Sequence, residues 1–355
     1  MMLRKLKKYS NNDIYTFTET NIKHLENIIP LFEKSGSNSY KFGNETLILK
    51  KKINSGAYGE IYDATINKKK VILKIPKLRH FNMKDFFLET FVQNELFCDL
   101  RGSFGQGARI PKLEFFGKMK IESKVVGIIA IEPLDMDGMG FLDTLKNDRN
   151  GNLQCIDMVI QISGLLKSLQ SKYSFMHKDL HLGNIMCKKN GNNYKWYIID
   201  FGMTSANINN TWLHGKLDYP YDRNKTPNKS HDLRMLFSSM FYHLYDILKS
   251  KNGPKYCPIL FFRIVCRYMV QLSTYLKTPQ STLFWNTYGD VFRIQDKNFD
   301  ATNVHTVFTK TKTYFLTKKV YDLFEEFPTL LLNYRKQVKS SNLILYLQDI
   351  CKILM

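Results

Sequence analysis

The sequence lacks most of the patterns that would declare its chemistry at once. Its six cysteines, Cys98, Cys155, Cys187, Cys257, Cys266 and Cys351, are scattered and form no Cys-x-x-Cys pair. Neither a zinc site nor a disulfide framework is therefore expected, and reduced, partly buried thiols are. No apolar run approaches the roughly 18 residues of a membrane span. Even Pro258-Ile-Leu-Phe-Phe is interrupted at Arg263 and Arg267. The basic start, Met1-Met-Leu-Arg-Lys-Leu-Lys-Lys, has no apolar stretch behind it and does not read as a secretory signal. An intracellular, cytoplasmic protein is the expectation. A Gly-x-x-x-x-Gly-Lys-Ser/Thr motif is also absent, which argues against a Walker-type nucleotide site.

Acidic residues are in the minority. Asp and Glu number 32 against 52 Lys and Arg, a formal charge of +20. A field of that sign attracts acidic proteins, nucleic acid or nucleotide phosphates. Much of the excess is lysine beside asparagine, as in Asn67-Lys-Lys-Lys, so base composition of the gene explains part of it. With 44% hydrophobic residues the chain can build a large core and is not disordered.

Residues 1 to about 45 are polar and basic around the apolar patch Ile28-Ile-Pro-Leu-Phe, and read as an N-terminal extension packed on the body. Short strand-type runs follow: Thr46-Leu-Ile-Leu, Ile53 to Tyr62 and Val71-Ile-Leu-Lys-Ile, with Asn67-Lys-Lys-Lys as a hairpin tip. Phe81 to Leu100 has no Gly or Pro and helical apolar spacing, ending before Gly102, Gly105 and Gly107. Two more strand-like runs, Ile110 to Phe116 and Val125 to Ile131, complete this part. Beyond Pro133 the periodicity is mainly helical, over Leu153 to Tyr173, Asp232 to Ser250, Pro258 to Lys277 and Val320 to Met355. A strand-and-loop island, Phe175 to Asp218, lies inside it.

Four places can carry chemistry. Ile53-Asn-Ser-Gly-Ala-Tyr-Gly-Glu-Ile-Tyr62 puts Gly56 and Gly59 between two strands, where missing Cβ atoms let backbone amides approach phosphates. Alone, it equally describes a tight hairpin. Lys74 lies within an apolar strand and needs an anionic partner if buried. Glu95 and Glu89 on the following helix both qualify, but six residues apart they cannot share a face. Glu95 is preferred, being nearer the next strand and preceding Leu96-Phe97. Phe175-Met-His-Lys-Asp-Leu-His-Leu-Gly-Asn-Ile-Met186 sets Asp179 and Asn184 five apart in a loop anchored at both ends. A carboxylate there can accept the proton of an attacking hydroxyl, and an amide oxygen can bind a metal. Tyr197-Ile-Ile-Asp-Phe-Gly-Met203 ends a buried-type strand in Asp200, a natural Mg²⁺ ligand. Each segment alone is common; the four together in this order are not.

In that combination the sequence resembles the eukaryotic-type protein kinase superfamily, over roughly Leu47 to Leu236. The resemblance implies an α+β, bilobal fold: a small β-rich N-lobe with one main helix over 46–132, preceded by the 1–45 extension, and a larger helical C-lobe over 133–355. It implies ATP and Mg²⁺ as cofactors and a protein substrate. Asp179 is then the catalytic base, with Asn184 and Asp200 on the metal and Lys74 on the α- and β-phosphates. Asn54, Ser55, Gly56, Ala57, Tyr58, Gly59 and Ile61 form the loop over the nucleotide, and Glu95 braces Lys74. The Glu132 carbonyl and the Leu134 amide face the adenine across Pro133, where no donor is needed. Asp232 braces the catalytic loop from the start of the large central helix, or simply caps that helix.

The departures are informative. Asn54 replaces the first loop glycine, as a residue able to visit left-handed geometry. Ile72 replaces an alanine above the adenine. Lys178 stands where an Arg usually pairs with a phosphorylated activation loop, so weak dependence on such phosphorylation is expected. His181 stands where Ser/Thr kinases carry a lysine on the γ-phosphate. The Asp179-Leu-His form is similar to haspin-type kinases and to aminoglycoside or choline kinases, and no Ala-Pro-Glu motif precedes His231. The chain thus resembles divergent Ser/Thr kinases of large nucleocytoplasmic DNA viruses, with virion association as a corollary. A small-molecule kinase, or a basic pseudokinase scaffold binding nucleic acid or virion components, are the alternatives.

Overall fold

The computed structural model describes residues 19–56, 59–100, 109–121, 123–215, 230–250, 253–259, 261–262, 264–265 and 301–317. Ala57, Tyr58, the three glycines at 102–107, the Tyr219-Pro-Tyr stretch and the helices expected over 266–277 and 320–355 lie outside them.

The first part of the chain is a closed sheet with one long helix against it. Helix α1 (Glu19–Ile28) leads into strands β1 (Leu31–Lys34), β2 (Ser39–Phe42), β3 (Glu45–Ser55), β4 (Gly59–Ile66) and β5 (Lys69–Pro76). Helix α2 (Met83–Leu100) and strands β6 (Leu113–Ile121) and β7 (Lys124–Ile131) follow. The strand order β1-β2-β3-β4-β5-β7-β6 closes through a parallel pairing of Leu31 and Phe32 with Lys118 and Met119. Residues 31–42 are therefore not an extension laid on the body, as expected, but the strands that shut the sheet. The reason is the apolar patch itself. Phe32 is fully buried inside the sheet with Leu47, Leu73 and Val126, while Leu25 and Ile29 pack on Phe86 and Phe87 of α2. Strands of four residues are too short for alternation to reveal them.

The β4–β5 turn bears out the expected tip. Asn67 and Lys68 both adopt positive φ (48° and 69°), the two-residue geometry whose twist suits a hairpin. Asn67 also ties the tip to β3, its Oδ1 accepting from the Thr46 amide at 2.9 Å. The long helix begins at Met83 rather than Phe81, because Asn82 Oδ1 accepts from the Lys84 amide at 2.8 Å and caps it. Its apolar residues divide between two cores. Phe86, Phe87 and Phe91 face the sheet and α1, whereas Leu88, Val92 and Leu96 enter the larger core beyond.

That larger core is mainly helical. After β8 (Met136–Asp137) come α3 (Gly138–Asp143) and α4 (Arg149–Tyr173), with Asp137 and Asp148 as N-caps bonded to the amides of Gly140 and Gly151. Then follow the hairpin β9 (Ile185–Asn190) and β10 (Asn193–Ile198), a second hairpin β11 (Ser205–Ile208) and β12 (Thr211–His214), and helices α5 (His231–Lys249), α6 (Gly253–Tyr256) and α7 (Ala301–Thr317). Ile156, Val159, Ile162 and Leu166 of α4 meet Leu236, Phe237 and Phe241 of α5 and Phe308 of α7 in one buried cluster. A β-rich first part and a mostly helical second part together make the expected α+β chain. Among the described residues no helix is long and apolar enough to cross a membrane.

Gly127 on β7 marks where the sheet and α2 meet most closely. A Cβ there would lie 2.4 Å from Cγ and Cδ2 of Phe86. That ring is buried, 5.2 Å from Phe87 and 6.4 Å from Phe81, and cannot swing aside. Gly127→Ala is expected to cost about 1–3 kcal/mol by overpacking, read as a lower denaturant midpoint. A variant as stable as the parent would show that α2 can lift off the sheet freely.

Candidate active site

The functional side chains come from four separate places in the chain, and each is set by a local reason. Lys74 sits in the middle of β5, paired with Ile61 of β4 and Ile129 of β7. Its neighbours Leu73 and Ile75 point into the core, so the lysine faces the other way, toward α2. Its Nζ donates to Glu89 Oε1 at 2.7 Å and to Asp200 Oδ1 at 2.8 Å. Burial acts most strongly on this ammonium and opposes its charge, but Asp200 and Glu89 outweigh it and hold the pKa above the usual lysine range. Burial likewise works against the Asp200 carboxylate, and Lys74 reverses that, leaving its pKa below the usual value. Asp200 itself is held at φ 64°, a left-handed turn uncommon outside glycine, just after β10.

The pairing corrects the preference for Glu95. Six residues farther along the helix, Glu95 lies about 9 Å away along the axis and some 240° around it. It shares a face with Asp99, four residues on, which bonds Lys172 and the Tyr173 hydroxyl at the end of α4. Glu89 stands one turn from Phe86, on the side of α2 that docks on the sheet, and its carboxylate reaches Lys74 of β5.

Asp179 and Asn184 belong to the loop between α4 and β9. Ser174, at φ 48°, ends α4, and Met176 exchanges two backbone bonds of 2.8 Å with Ser205. His177 is fully buried, with Nε2 2.9 Å from the Ile199 carbonyl and its ring 5.6 Å from that of Phe201. Asp232, in the first turn of α5, accepts the amides of His177 and Lys178 at 2.9 Å each. It is not the helix cap, a position occupied by Ser230. Two amides on one carboxylate fix the backbone leading to Asp179, and Lys178 takes φ 68° to turn it outward. Asn184 Nδ2 donates to the Asp179 carbonyl at 2.8 Å and to its Oδ2 at 3.2 Å. Burial, the largest influence on Asp179, raises its pKa above the usual carboxylate range.

Lys74, Glu89, Asp179 and Asp200 line one cleft with Phe86, Ile129, Gly202 and Met203. Because Asn184 spends its amide nitrogen on Asp179, its Oδ1 is left to accept or to ligate. Together with the Asp200 carboxylate it supplies two hard oxygen donors. Among the described residues no group of three or more His, Cys, Asp or Glu converges into a metal cage. Two protein oxygens suit Mg²⁺, which keeps waters or phosphate oxygens for its remaining positions.

The glycine turn joins β3 to β4, the strand that pairs with Lys74. The Gly56 amide donates to the Gly59 carbonyl at 2.9 Å, and Lys77 Nζ donates to the Gly56 carbonyl at 2.6 Å. A Cβ on Gly59 would crowd the Ile75 carbonyl at 3.1 Å, so the strand crossing itself calls for glycine. Asn54 is not left-handed as expected; it stays in β3, its Oδ1 accepting from the Ser55 amide. Ser55 is exposed beside it, and Ile61 is half-buried on β4. At the far end of β7, the Glu132 amide donates to the Lys112 carbonyl and the Asp135 amide to the Cys187 carbonyl. Leu134 is buried between them, and the Glu132 side chain is spent on the Lys112 amide.

Two features were not anticipated from the sequence. One is the Asp99–Lys172–Tyr173 tether, joining partners more than seventy positions apart. The other is the β11–β12 hairpin after Asp200, turned by Asn209 and Asn210 at positive φ; adjacent asparagines before a strand-like run were its available signal.

No protein-family model matches the sequence, and no curated protein matches it either. Among solved structures, a crystal structure of the BubR1 kinase domain is similar, with a TM-score of 0.45 and 16% sequence identity; the match covers 86% of this chain and 98% of that one.

Glu89→Gln is expected to lower the unfolding free energy by about 1–3 kcal/mol by leaving a buried ammonium short of one partner, and Glu95→Gln by clearly less. Equal losses in thermal melts would break the assignment. A second expectation concerns pH. Burial lowers His177 from 6.5 to about 4 and His231 from 6.5 to about 3, and raises Asp232 from 3.8 to about 6. Between about pH 4 and 6, unfolding therefore takes up two protons at the histidines and releases one from Asp232. Stability should fall on acidification across that window, by about 1.4 kcal/mol per pH unit from these three groups. Denaturation midpoints that rise from pH 6 to pH 5 would contradict the balance.

Proposed function

We propose that this chain is an ATP- and Mg²⁺-dependent phosphotransferase of the protein kinase type, acting on a Ser or Thr hydroxyl of a protein. The observation that carries the reading is the single chain of contacts from Glu89 through Lys74 to Asp200, lying in one cleft with the Asn184-bonded Asp179. A lysine held by carboxylates on both sides is fixed as a point charge for phosphate oxygens.

In this reading Asp179 orients the acceptor hydroxyl and takes its proton, a task its raised pKa favours. Asn184 and Asp200 would hold Mg²⁺, which when bound draws off charge from the phosphate oxygens. The Gly56–Gly59 turn, with Asn54, Ser55 and Ile61 beside it, covers the nucleotide. The Glu132 carbonyl and Leu134 amide meet the base edge between the two fixed ends of their connection. The Lys-rich surface suits an acidic protein substrate.

The test is transfer of radiolabelled phosphate from ATP to acidic, basic and self substrates, beside sugars and choline. Label on protein is expected, falling by about 10³-fold in Asp179→Asn and Asp200→Ala. Label only on small molecules would replace the acceptor class. Undiminished transfer in both variants would refute the site.

A further inference from the structure

The backbone ladder that holds β4 to β5 stops at the foot of the glycine turn. It runs from the Ile66–Lys69 pair down to the Gly59–Pro76 pair, and Pro76 brings no N–H to that last rung. Beyond it a side chain takes over. Lys77, the next residue, reaches back past the end of β4, and its Nζ donates to the Gly56 carbonyl at 2.6 Å.

Both ends of this contact are held in place. The proline ring restricts the chain just before Lys77. Just after it, the Lys77 carbonyl accepts from the His80 amide at 3.0 Å and starts the short 3₁₀ turn Leu78–His80. On the other side, the Gly56 amide donates to the Gly59 carbonyl at 2.9 Å and closes the glycine turn. Gly59 in turn lies against Ile75, where a Cβ would meet the carbonyl at 3.1 Å. The Glu60 carboxyl, held below its usual range by its bonds to Lys52 and Tyr62, feels the Lys77 charge as well. The ammonium therefore stands beside the turn.

The contact also sits at the rim of the cleft. Pro76 and His80, on either side of Lys77, line it together with Lys74, Asp179 and Asp200. Lys74 is engaged there by Glu89 and Asp200. Of two lysines three residues apart, one faces the cleft and the other holds the turn.

We infer that Lys77 is a positioning residue for the nucleotide, strapping the glycine turn to the end of β5. The role rests on the reading above, in which that turn covers the nucleotide. No bond is made or broken at Lys77. A turn already strapped in the free protein has less to order when the nucleotide arrives, so the ammonium raises affinity without touching the reacting atoms.

Methionine keeps the unbranched apolar stem and removes the donor, whereas arginine restores one. Lys77→Met is expected to raise the KM for ATP about tenfold. Its kcat, its KM for the acceptor and its thermal midpoint should match the parent's, and Lys77→Arg should recover most of the loss. Hydrogen exchange reads the strap without any activity. With no nucleotide present, the Gly56 amide should exchange several-fold faster in Lys77→Met than in the parent. Equal exchange at Gly56, or an unchanged KM for ATP, overturns the role of Lys77 and leaves the kinase reading standing. A fall in kcat alone does the same. A parent protein that neither binds ATP nor transfers phosphate overturns the kinase reading, and the nucleotide role of Lys77 with it.

Discussion

Everything in the cleft depends on a lysine that cannot afford to be alone. Lys74 lies inside a strand whose neighbours are core residues, where an unpaired ammonium would be costly. Its two partners come from a helix fifteen residues on and from a turn 126 residues on. Satisfying one charge therefore draws together the closed sheet, the long helix and the second half of the chain. The geometry that suits phosphate chemistry is the geometry that burial of this lysine demands.

A second buried charge plays the same part for the loop that carries Asp179. Asp232 accepts the amides of His177 and Lys178, and the Lys178 charge also favours its carboxylate. Carboxylate and loop thus stabilise each other through the two amides. The buried histidines around them stay uncharged, and the pH sensitivity of the fold gathers at this junction. The site and the stability of its frame are one network, which is why loop and helix variants should affect both.

The sequence made the chemistry more legible than the architecture. Asp179, Asn184 and Asp200 could be singled out because their spacing and flanking apolar runs are local facts. The choice between Glu89 and Glu95 was not local. Both have apolar company, and only the docking of α2 by Phe86 and Phe87 turns one toward β5 while the other looks to Tyr173. Closure of the sheet was hidden for a similar reason. Four-residue strands carry too little alternation, and their partner β6 lies far along the chain. That His181 Nδ1 accepts from the Gly183 amide was unreadable, because it depends on that amide turning back, a matter of backbone and not of residue type.

The parallel pairing of β1 with β6 also sets an order of events during synthesis. Leu31 and Phe32 leave the ribosome long before Lys118 and Met119 exist to receive them. Until β6 and β7 are made, Phe32 has no completed interior to enter, and the free edges of β1 and β5 are open to other chains. Such long-range closure carries the loop entropy that slows folding. The exposed lysines on these two strands, Lys34 on β1 and Lys69 and Lys70 on β5, then act as guards of the nascent edges, by mutual repulsion, before they act as the surface of a finished sheet.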